Sequence, residues 1–317
     1  MKILLMLLTL VAVASARITD RTIHFGGSLS DNQEVVYIEQ QQTDFICNQT
    51  GFTEAVFGRA TVPLFIDQNT VFNLFQVGPV GLPKQLDNLL FYRLQFARYD
   101  ATILPNLLNI AFPNISVPTL KQQIDQFEAI AAASYTDIFG FELPYLTPTL
   151  ATVLLGPNDL VSVFLEATTL PPTAVPSFFA SSIGQILFDP VNGLAVQLTR
   201  LVELAPRAKI VVGNCPDLTK TPKFNTILGP YAPVFQQLIS AYNSALNSLV
   251  AEIPNAVVFD IFTILNNAVA AAPAPYNTKA CIDLCSLSSE CVFADEFSAS
   301  FATNQIAAEA LAQLLNV

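Results

Sequence analysis

Short, apolar, β-branched runs alternate along this chain with longer stretches of helical periodicity, and that alternation limits the fold more than any other feature. "RTIHFGG" reads as an opening strand. "TLATVLLG" (149–156), "AKIVVGN" (208–214) and "AVVFDIF" (256–262) are compact, apolar and closed by turn residues, and "LLNIAF" (107–112) is a candidate second strand. Residues 117–133 repeat Leu120, Ile124, Phe127 and Ile130 at helical spacing, with Ser116 placed to cap and Pro118 in the first turn. Residues 231–253 do the same with Val234, Leu238, Ala241, Ala245 and Leu249. Strands with apolar residues on both faces need cover on both, so a parallel sheet between two helical layers is expected. Residues 33–105 break the alternation and read as an excursion between the first two strands. Residues 171–176 read as a loop into a helical segment ending near Pro206.

Composition narrows the partners. Just over half the residues are hydrophobic and only 12% are charged, which favours a large core over disorder. The net charge of -11, with no basic cluster, argues against nucleic acid or anionic lipid heads as partners. "MKILLMLLTLVAVASA" has one basic residue, an apolar run and a small-residue end, the pattern of an export signal cut after Ala16. Residues 17–317 then read as one domain with no later membrane span. Sequons at Asn48 and Asn114 are compatible with glycans. In an exported chain, Cys47, Cys215, Cys281, Cys285 and Cys291 point to disulfides, with one cysteine left over from an odd count. A metal site is disfavoured by a single histidine, His24, far in sequence from the cysteine cluster.

Chemistry concentrates where strands end. Gly26-Gly27 lets the chain turn sharply out of the first strand and presents Ser28 at the carboxyl edge, where open α/β sheets bind ligands. Read alone, Ser28 or Ser30 is a helix cap. "LLGPNDL" sets Asn158 and Asp159 just past another strand; Asn158 suits either a turn or a donor to a developing oxyanion. "VFADEFSASF" carries Asp295 and Ser298 ahead of a helical pattern.

In order and spacing these segments resemble the GDSL family of SGNH hydrolases, which are serine esterases and lipases. Phe25-Gly26-Gly27-Ser28-Leu29-Ser30-Asp31 is similar to the family's first block, and Gly156-Pro157-Asn158-Asp159 to its Gly-x-Asn-Asp block. Residues 211–222 resemble its post-strand loop, and Asp295-Glu296-Phe297-Ser298 aligns with its closing Asp-x-x-His. The resemblance spans nearly all of residues 17–317. It implies a three-layer α/β/α sandwich on a flavodoxin-like sheet, ester substrates (carboxylic esters, lipids or acetylated sugars) and no cofactor. It also implies Ser28 as nucleophile, Asn158 as oxyanion donor and Asp295 as the acid.

The departures bear on activity. Gly27 stands for the first block's Asp; no glycine occupies the second block near Pro113 and Asn114; Ser298 stands where the family has its catalytic histidine. A serine hydroxyl needs a base, and a neutral imidazole is the usual one. His24 lies within the first strand and is expected to be buried and hydrogen-bonded there. Asp295 is an ordinary carboxylate with only Glu296 beside it, and nothing around Lys279 argues for a serine–lysine dyad. The expectation is therefore a hydrolase homologue with degraded machinery. The alternatives are a slow esterase using Asp295 or the substrate as base, and an extracellular glycan- or partner-binding protein on the same scaffold.

Overall fold

The computed structural model describes residues 21–26, 92–95, 101–105, 119–131, 148–280, 291–293, 296–297 and 299–315. Its described elements are β1 (Arg21–Gly26), β2 (Tyr92–Gln95), α1 (Leu120–Ala131), β3 (Leu150–Leu154), α2 (Pro157–Ala167), α3 (Val175–Phe188) and α4 (Leu194–Leu204). There follow β4 (Lys209–Gly213), the short α5 (Pro222–Ile227), α6 (Ala232–Glu252), β5 (Ala256–Phe259), α7 (Ile261–Ala271) and α8 (Phe301–Leu315). All strand pairs are parallel, in the order β2-β1-β3-β4-β5, which is the flavodoxin-like arrangement.

Side-chain alternation divides the core into two layers. Ile23, Phe25, Ala151, Val153, Ile210 and Val212 pack with α1, α2, α3, α4 and α6. Leu150, Leu154, Val211 and Phe259 face the other way, onto α7 and α8 through Ile261, Ala308 and Leu311. The result is an α/β/α sandwich. The aromatic pair Phe25–Phe127, edge to face at 6.1 Å, ties β1 to α1. Across α4 and α1, Arg200 bridges Asp125 and Glu128 at 2.8 and 2.6 Å.

The sequence expectations need four corrections here. β2 lies inside the stretch read as an excursion; its edge position lets it be short and mixed, without the apolar run that marks a central strand. The α1 cap is Thr119 rather than Ser116. Thr119 Oγ1 accepts the N–H of Gln122 at 3.3 Å while Gln122 Oε1 accepts that of Thr119 at 2.9 Å, a reciprocal capping box. Pro176 belongs to the first turn of α3, where its missing N–H costs nothing, and the helical segment beyond it is two helices. On α6 the buried face centres on Phe235, Tyr242 and Leu246; Ala241 is exposed, because large aromatics and not small alanines set which side packs. The candidate strand at 107–112, Ser116 and Pro118 lie outside the described residues.

Thr119→Ala removes one half of the capping box and should lower stability by about 1 kcal/mol. The measurement is the urea midpoint at unchanged m-value; an unchanged midpoint would mean the cap contributes nothing.

Candidate functional site

The carboxyl edge of the sheet is built from the ends of β1, β3, β4 and β5, and among the described residues the turns after β3 and β4 are held by buried polar groups. After β4, Asn214 donates to Asp260 at 2.8 Å and accepts from the N–H of Phe262 at 2.9 Å, joining this loop to the start of α7. Asn243 on α6 brackets the Cys215 peptide, accepting its N–H and donating to its carbonyl, both at 2.8 Å. Asp217 accepts from Thr219 and from Gln236 of α6. A loop so bonded holds its backbone polar groups satisfied while remaining buried.

After β3, Gly156 turns the chain with φ at 122°, outside the range of ordinary side chains. The hydroxyl of Tyr242 lies 2.6 Å from where a Cβ on Gly156 would stand, so the turn also has no room. Asn158 and Asp159 follow in the first turn of α2. The Asn158 amide donates to Ala101 O at 3.0 Å. The Asp159 carboxylate accepts the N–H of Ile103 at 2.9 Å and of Leu104 at 3.1 Å. Together they clamp residues 101–105 onto α2, and Thr102 passes that anchorage to α1 by accepting the N–H of Leu120.

Asp159 carries a structural duty that neither its turn setting nor its place in the Gly156-Pro157-Asn158-Asp159 block announces. The available signal was an acid in a helix's first turn, where backbone N–H groups attract one. It is completely buried, and burial drives its carboxyl up to about 7 against the pull of the Ile103 and Leu104 N–H groups. Its titratable neighbours, Tyr242 and Cys215, are both pushed well up by burial and stay neutral across this range. The Tyr242 hydroxyl has no hydrogen-bond partner among the described residues.

His24 occupies the sheet itself. It pairs in register with Thr152, and its Nδ1 lies 2.8 Å from Thr152 Oγ1 in a hydrogen bond. The residue is 2% exposed, on the sheet face shared with Leu150 and Leu154. Two residues of strand separate it from Gly26, which sets the imidazole roughly 7 Å back from the strand end. This is the buried, bonded histidine that its strand position predicts.

Ser28, Asp295 and Ser298 lie outside the described residues, as do Cys47, Cys281, Cys285, both sequons and the second-block residues Pro113 and Asn114. The neighbours of Asp295 and Ser298 are anchored. Thr303 donates to Val292 O at 2.8 Å, and Glu296 O accepts the N–H of Lys223 on α5. Lys223 also pairs with the Glu296 carboxylate at 2.9 Å. Phe297 stacks edge-on against Phe224 with centroids 5.8 Å apart. Lys279 is exposed, and Cys215 carries a free, buried thiol. Among the described residues no group of side chains has the make-up of a metal site, and no helix is long and apolar enough to cross a membrane.

No family model and no curated protein matches the chain. Solved structures similar to it include a GDSL-like lipase candidate from Parabacteroides merdae, at 14% identity and TM-score 0.44, covering 94% of this chain and 96% of that one. An acetyl xylan esterase from Geobacillus stearothermophilus is similar at 13% identity and TM-score 0.41, covering 93% and 94%. Phospholipase A1 from Streptomyces albidoflavus is similar at 10% identity and TM-score 0.42, covering 93% and 98%. Likeness at this depth assigns no activity; strand order and layering describe the fold directly.

Two outcomes follow from the rim. Gly156→Ala should cost more than 2 kcal/mol, from backbone strain and from contact with Tyr242, read as a drop in the urea midpoint. Asp159 binds its proton more tightly folded than unfolded. Its contribution to stability is therefore full below the ordinary carboxylate range and lost as pH rises toward about 7, with a slope of up to about 1.4 kcal/mol per pH unit. Asp159→Asn, which stays neutral, should flatten that fall. Equal slopes between pH 4.5 and 7.5 in the two proteins would contradict it. Asp125 and Asp260 do not confuse the reading. Despite partial burial, Lys121 and Arg200 hold the first below the ordinary carboxylate range, and Thr263 and Asn214 hold the second there, so their contributions are lost in acid.

Proposed function

We propose that this chain is an exported homologue of the GDSL-type ester hydrolases that binds an ester and does not turn it over. The observation that carries the reading is the placement of the only imidazole. The sequence contains one histidine, and it is spent on a buried hydrogen bond to Thr152 within the sheet. Ser28 would occupy the nucleophile position, Asn158 the oxyanion-donor position and Asp295 that of the acid, with Ser298 in place of the base. A hydroxyl without a base is a poor nucleophile. Loss of the imidazole from a serine triad leaves on the order of a millionth of full turnover.

Supporting the ester-hydrolase ancestry are the ordered blocks of sequence, the flavodoxin-like strand order, and the arrival of Asn158 at the carboxyl edge one helical turn past β3. Export is proposed from the opening sixteen residues, with disulfides among the remaining cysteines and glycans at Asn48 and Asn114.

A serine-directed fluorophosphonate tests the reading. The wild-type chain should remain unlabelled at Ser28, and p-nitrophenyl acetate should hydrolyse at the buffer rate. Ser298→His should produce labelling and measurable turnover, both removed by a further Ser28→Ala. Turnover in the wild type that Ser28→Ala abolishes would defeat the proposal.

A further inference from the structure

Between the sheet and α8, an open cleft lined mainly by apolar side chains enters at the carboxyl edge. Leu154 and Phe259 at the ends of β3 and β5 form one wall, Ile264 and Leu265 of α7 another, and Phe293 and Phe297 the mouth. Among the described residues no charged side chain lines it. We infer that this cleft takes the unbranched aliphatic chain of an uncharged lipid ester or alcohol. The inference deepens the proposed ester-binding function and rests on it only for the identity of the head group.

Three features choose this occupant over an acetylated sugar or a fatty-acid anion. The threonine hydroxyls of the lining are already engaged: Thr221 donates to Leu218 O at 2.9 Å and Thr303 to Val292 O at 2.8 Å. Asn304 adds one amide to the lining, but a sugar moved here would exchange most of its hydrogen bonds to water for apolar walls, a loss its apolar surface does not offset. An alkyl chain carries no such cost, and each methylene it buries adds favourable transfer free energy. At the mouth, Glu296 is paired with Lys223, so that lysine is not free to meet a carboxylate, and the chain as a whole is strongly acidic. The head group is therefore neutral. Phe297, 46% exposed yet stacked on Phe224, is the lip over which the chain passes.

Isothermal titration calorimetry of the full mature protein with straight-chain primary alcohols from hexanol to decanol, and with the methyl esters of the matching acids, tests this. Affinity should rise about threefold to fourfold per methylene until the cleft is full, with a negative heat-capacity change. Decanoate should bind at least tenfold more weakly than methyl decanoate. Ile264→Trp, at a half-buried position, should fill the cleft and remove the dependence on chain length. Phe297→Ala should weaken every member of the series while keeping the slope. A flat series in the wild type overturns the inference, as does decanoate binding equal to its ester, or Ile264→Trp binding decanol like the wild type. The alcohols have no ester bond, so their binding stands or falls apart from the labelling of Ser28.

Discussion

A parallel sheet with helices on both faces has no wet position for a polar side chain, and everything at its carboxyl edge is arranged around that constraint. His24 and Thr152 are buried polar residues that the alternation turns into the second layer, side by side on neighbouring strands. Each would be costly alone in an apolar layer; bonded to each other, they are tolerated. The same bond that makes the imidazole compatible with the core removes it from the chemistry of the edge. Freeing the ring to act as a base would leave Thr152 with an unpaired hydroxyl in the layer, so the fold opposes the rearrangement energetically as well as geometrically.

The rim shows the same logic. Its loops are buried, and a buried loop must find partners for its peptides. Asn214, Asn243 and Asp159 supply them by reaching from one element to the backbone of another, and Asp217 caps its own loop at the Thr219 N–H. These are structural duties. Asp159 is the extreme case, since a fully buried acid is retained to hold residues 101–105 against α2. Its position one residue beyond Asn158 couples the clamp to the proposed oxyanion donor, because both side chains grip the same segment from the first turn of one helix.

How much of this was legible in the sequence depended on whether the signal was local. β3, β4, β5 and α6 were readable because apolar runs and helical spacing are local properties. β2 was not, since its four residues, Tyr92 to Gln95, carry no apolar run and only the pairing with β1 marks them as a strand, whereas β5 at the other edge keeps such a run. Thr119 and Ser116 are equally good capping residues by type, and only the reciprocal bond with Gln122 separates them. His24 was placed correctly from its strand alone, whereas the cleft beside α8 was not foreseen. Its walls come from β3, β5, α7 and the segment before α8, and no local pattern brings residues so distant in sequence together.

Binding and turnover make different demands on such a cleft. An enzyme that grips its substrate as tightly as its transition state gains nothing in rate, so strong ground-state contacts are a handicap to a hydrolase. A chain whose only imidazole is committed to the core carries no such penalty. On the proposed reading, each methylene seated against Leu154, Phe259 and Ile264 appears wholly in affinity, because no chemical step follows for it to slow. An apolar cleft beside a rim whose one histidine is committed to the core would suit the proposed holding of a lipid ester, with the engaged hydroxyls of Thr221 and Thr303 disfavouring hydrated ligands.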